Sequence, residues 1–116
     1  MKNMFILLLV FLILPLSCVF AHPPQDIKIT FDPQTKIVTA IIYHQVANPN
    51  AHFIKKVDIG INGKEVIEQK ISRQDNFNTQ TVSYLLPDAK AGDRVSVEAY
   101  CSISGNLEKE IKVQEK

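Results

Sequence analysis

Four side chains of the 116-residue sequence could bind and activate a metal ion: His22, His44, His52 and Cys101. Imidazole nitrogen and thiolate sulfur are good ligands for soft or borderline first-row metals, iron, copper and zinc among them. The three histidines are all the histidines of the chain. Each of the four sits where the residue pattern places the end of a strand or a loop, and a β-sandwich builds its sites at such ends. Three imidazoles and a sulfur at element ends therefore point to a metal centre rather than to scattered solvated groups. A Ser-His-acid pattern, paired catalytic carboxylates and a Gly-rich phosphate loop are absent from the sequence, so hydrolysis and phosphoryl transfer have little support.

The stretch that fixes the sulfur is Arg94 to Gly105, RVSVEAYCSISG. Val95, Val97, Ala99 and Cys101 recur at period two, so the thiol faces the same way as the apolar residues before it. His44 follows a β-branched run from Ile37 to Tyr43 and is in phase with Val38, Ala40 and Ile42. That run is apolar on both faces, which predicts a central strand. His52 closes an Asn-Pro-Asn loop and enters a strand that runs from Phe53 to Ile61. Asn62-Gly63 then forms a type I′ hairpin turn, with Lys64 to Ile71 returning. Asp26–Phe31, Thr79–Leu86 and Leu107–Val113 complete a set of seven strands, with Asp32-Pro33-Gln34-Thr35 and Pro87–Asp93 as connections. No segment has a 3.6-residue apolar period. The expected fold is all-β, one immunoglobulin-like antiparallel sandwich of about seven strands. Tyr84, Tyr100 and Phe53 are expected in its core, and Lys55-Lys56 on a solvated face.

The first 21 residues read as a signal peptide. Lys2 supplies the positive end, Met4–Leu16 is an apolar run of about a dozen residues, and Val19-Phe20-Ala21 offers a cleavage site. The expected mature domain is residues 22–116, periplasmic or secreted, with no membrane association after cleavage. The 13 Lys and Arg against 12 Asp and Glu become balanced once Lys2 leaves, so no field draws the domain to nucleic acid. Cys18 leaves as well, which makes Cys101 a lone thiol that must be buried, paired between chains in a homo-oligomer, or bound to metal.

Together these motifs resemble the iron-binding domain of superoxide reductases, the desulfoferrodoxin and neelaredoxin family. The matching residues are His22-Pro23-Pro24, His44, His52-Phe53-Ile54-Lys55-Lys56, Asn62-Gly63-Lys64, and Glu98-Ala99-Tyr100-Cys101 with Gly105. The resemblance spans roughly residues 22–113 and implies a mononuclear ferrous iron with four equatorial imidazoles and an axial thiolate. His22, His44 and His52 would be imidazole ligands, and Cys101 both the axial ligand and the catalytic residue. The implied reaction reduces superoxide, or another small oxidant, with an electron from a separate donor. Ser104 stands where the family has its fourth histidine, and the His44–His52 gap is longer than the family's.

Two other readings use the same residues. If cleavage follows Ala21, His22 gains a free amine and can chelate copper through amine and ring, as in histidine-brace proteins. His44, Ala51-His52-Phe53-Ile54, Asn62-Gly63-Lys64 and Ala89–Asp93 also resemble the non-catalytic, partner-binding subunit of the Sox sulfur-oxidising carrier pair.

Overall fold

A computed structural model describes residues 22–115. The expected signal peptide and Cys18 lie outside the described residues. Seven strands form two antiparallel sheets: β1 (Asp26–Asp32), β2 (Ile37–Tyr43), β3 (Ile54–Ile61), β4 (Lys64–Lys70), β5 (Thr79–Leu85), β6 (Arg94–Cys101) and β7 (Asn106–Lys112). One sheet has the order β1-β2-β5 and the other β4-β3-β6-β7. The chain changes sheet after β2, β4 and β5, so the two layers form a β-sandwich with immunoglobulin-like connectivity. Among the described residues no helix is long and apolar enough to cross a membrane.

The alternation seen in the sequence decides which faces meet. In β2, Val38, Ala40 and Ile42 point inward, while Ile37 and Tyr43 are exposed on the outer face. The strand is central in its sheet, as its composition predicts, but only one of its apolar faces is covered. Val57 and Ile59 of β3 and Val95, Val97 and Ala99 of β6 face it from the other sheet, all fully buried. The core is thus made of aliphatic side chains, whose branched shapes suit a pleated surface. Tyr84 and Phe53 are only half-buried. Tyr100 lies on the outer face of β6, out of phase with Val97, Ala99 and Cys101, and Lys56 Nζ sits 4.3 Å above its ring. The expectation that Tyr100 packs in the core fails for a parity reason: Cys101 takes the inward direction, so its neighbour cannot.

Asn62 (φ 52°) and Gly63 (φ 83°) close the β3–β4 hairpin in the left-handed conformations of a type I′ turn. At the opposite end of β3, Ile54 pairs with Cys101 but Lys56 pairs with Tyr100, so Lys55 is an extra residue. This bulge interrupts the ladder where β3 begins, just after His52 and Phe53.

Candidate metal centre

Antiparallel pairing brings the candidate ligands together at one end of the sandwich. In the three-stranded sheet, Asp26 pairs with Tyr43 and Tyr43 with Thr79. The start of β1, the end of β2 and the start of β5 therefore share that end. His22 precedes β1 and His44 follows β2. In the four-stranded sheet, the start of β3 lies beside the end of β6, which places His52 near Cys101. Phe53 and Ser102 lock this junction: the Ser102 amide donates to Phe53 O (2.8 Å) and the Phe53 amide to Ser102 Oγ (3.1 Å). Each sheet contributes half of the cluster.

The three imidazole rings touch one another, with centroids 5.0 Å apart for His22–His44, 5.1 Å for His22–His52 and 4.7 Å for His44–His52. One nitrogen from each ring lies within 4.8 Å of the other two. Cys101 is buried, and its Sγ is 3.1 Å from His52 Nε2. The Ile103 amide donates to the same sulfur at 3.5 Å. All four residues singled out in the sequence are thus gathered, the histidines as a mutual trio and the sulfur against His52.

Hydrogen bonds fix which nitrogen His44 and His22 can offer. Gln74 Nε2 donates to His44 O (2.7 Å) and Asn76 O (2.9 Å), so the amide can present only its oxygen to His44. His44 Nδ1–H donates to that oxygen at 2.8 Å. In the neutral ring this leaves a lone pair on Nε2, which lies 3.3 Å from His22 O, itself an acceptor. In that form the fully buried ring holds an acceptor nitrogen that His22 O cannot satisfy. His22 behaves alike: Nδ1–H donates to Pro23 O (3.1 Å), and Nε2 keeps its lone pair. Burial, then the neighbouring His44 and His22, hold the His52 pKa below the usual 6.5, which keeps this ring in the neutral, ligand-competent form. The donor set fits a first-row ion: three imidazoles, two of them anchored through Nδ1 on a carbonyl oxygen, and a sulfur beside them.

The N-terminal segment is held in place by the turn after β6. Gly105 has φ 86°, and its carbonyl accepts from the Cys101 amide at 2.9 Å. A Cβ on Gly105 would lie 2.8 Å from Pro23 Cβ and 3.1 Å from Pro23 Cα. Only glycine lets the residue next to His22 approach this closely. Ser104 is exposed.

Gln74 is the site residue that sequence reasoning missed. It lies in the polar loop between β4 and β5, thirty positions from His44. Only the β2–β5 register could reveal it, because that register lays the end of the loop along the chain after β2. His44 N donates to Asn78 O and Val46 N to Phe77 O.

A second group, Asp58, Glu65 and Glu68, gathers carboxylates within 4.8 Å on the outer face of β3 and β4. Lys56 Nζ lies 3.5 Å from Asp58 and 3.9 Å from Glu68. No protein-family model, curated protein or solved structure matches this chain.

Proposed function

We propose that this chain is an exported protein that holds one first-row metal ion, iron, between His22, His44, His52 and Cys101, and reduces a small anionic oxidant of the superoxide type there. The observation that carries this reading is the convergence of three touching imidazoles with a buried sulfur 3.1 Å from one of them. Bound iron would supply the one-electron chemistry.

The chain's own residues do the rest. His22 and His44 offer Nε2 lone pairs, oriented by Pro23 O and Gln74. Cys101, deprotonated on binding a metal, would supply the only anionic donor of the four, so a divalent ion would leave the centre cationic and attractive to an anion. The Ile103 amide stabilises negative charge on the sulfur, a contact that tunes metal–thiolate sites. Reduction of superoxide to hydrogen peroxide takes one electron and two protons, the electron coming from a one-electron donor protein and the protons from water.

The copper reading, with amine and ring of His22 chelating together, needs Nδ1 free, because Nδ1 is the ring nitrogen that closes a small chelate with the amine. Nδ1 is instead engaged by Pro23 O, which disfavours that chelate.

The test is anaerobic loading of the purified protein with Fe(II), followed by oxidation. A visible thiolate charge-transfer band that is lost in Cys101→Ser, together with superoxide consumption that releases peroxide but no oxygen, is the expected result. Absence of iron uptake overturns the reading. Iron uptake with no band places the sulfur outside the ligand set.

A further inference from the structure

We infer that Gln74 is the positioning residue of the centre: it locks His44 in the Nδ1–H tautomer and so aims the Nε2 lone pair at the other ligands. The inference rests on the metal reading above for its consequence, but not for its observation. Imidazole alone does not choose this tautomer, and a ring with the proton on Nε2 would present no lone pair to the cluster.

The geometry leaves the amide of Gln74 no second orientation. The side chain is fully buried. Its NH2 group faces the carbonyls of His44 and Asn76, and rotating the amide would set its oxygen against both. Its backbone amide donates to Pro49 O at 3.1 Å, which ties the loop to the segment between His44 and His52.

The rest of the loop is built to hold Gln74 there. The Asp75 amide donates to Gln80 Oε1 (2.9 Å), and Gln80 Nε2 returns to Asp75 Oδ1 (3.2 Å). Thr81 N donates to Asp75 Oδ2 (2.9 Å). Asn76 Oδ1 accepts from the amides of Asn78 and Thr79, both at 2.8 Å. A loop that only joined two strands would not need a buried glutamine bonded to both the ring and the carbonyl of one histidine.

Two variants separate this role from plain structural support. Gln74→Met keeps the length and burial but loses both the acceptor and the donors. Gln74→Glu keeps the acceptor for Nδ1–H and, as the buried neutral acid, keeps one O–H donor for the facing carbonyls of His44 and Asn76. Long-range proton–nitrogen spectra of the metal-free wild-type protein should show His44 as the Nδ1–H tautomer. Gln74→Met should shift it towards Nε2–H and weaken Co(II) binding about ten- to a hundredfold. Gln74→Glu should restore the tautomer and most of the affinity, although it donates once where glutamine donates twice. An Nε2–H tautomer in the wild type overturns the inference. So does a Gln74→Met variant with unchanged tautomer and unchanged Co(II) affinity. A wild-type protein that binds no Co(II) overturns the metal reading instead, and the tautomer spectrum still decides the role of Gln74.

Discussion

Replacing Gly105 by Ala should disturb the centre from a residue that offers it no ligand. Two costs are involved. The first is conformational: alanine at φ 86° sits in the left-handed region, at about 1–2 kcal/mol. The second is steric. The new Cβ would stand 2.8 Å from Pro23 Cβ, so the two segments must part by about 0.6 Å to reach ordinary contact at 3.4 Å. Pro23 carries His22 with it. Gly63→Ala is the internal control, because its φ is 83° and nothing lies within 4 Å of its added Cβ. Both variants should lose the conformational part, a fall in Tm of roughly 4–16 °C for a domain of this size. Only Gly105→Ala should lose more than that, and only it should weaken Co(II) binding, by about tenfold or more. The assay is thermal unfolding by circular dichroism, with Co(II) titration against a competing chelator. If Gly105→Ala matches Gly63→Ala in both measurements, Pro23 does not hold His22 in the cluster, and the reasoning is refuted.

Three further outcomes are expected. Ile59→Ala removes a fully buried side chain from the interface between the sheets and should destabilise the fold by about 2–5 kcal/mol, measured by urea unfolding. The depressed pKa of His52 means that the unfolded chain takes up its proton first. Its contribution is present above the unfolded pKa near 6.5 and is lost as pH falls through the folded value. Metal-free protein should therefore lose Tm as pH falls below about 6.5, and His52→Asn should flatten that slope. Ser104→His adds an imidazole at an exposed position of the Cys101 turn. If a fourth imidazole is what limits turnover of the proposed iron centre, superoxide consumption by the iron-loaded variant should rise sharply, whereas unchanged turnover would show that Ser104 is no vacant ligand position.

The sandwich was readable because its determinants are local. Alternation of Val38, Ala40 and Ile42, and of Val95, Val97 and Ala99, marks which face is buried, and Asn62-Gly63 marks a turn by its own conformational preference. The clustering of His22, His44, His52 and Cys101 was readable in part, since parity puts His44 and Cys101 on inward faces and antiparallel pairing sends strand ends to shared edges. Gln74 was not readable. Its role depends on which strand pairs with β2, and nothing in a run of polar loop residues announces that. Tyr100 shows the opposite failure: aromatic character suggested burial, but its place beside Cys101 turned it outward under Lys56. The importance of Gly105 was visible only as a turn residue, because its contact with Pro23 joins chain segments over eighty positions apart.

That the two sheets each bring half of the ligands has a mechanical consequence. An ion held by His22 and His44 on one side and His52 and Cys101 on the other would act as a staple across the layers and resist their sliding over one another. Occupancy would then be felt throughout the aliphatic interior, and a cavity such as that left by Ile59→Ala would be tolerated better by the loaded protein than by the empty one.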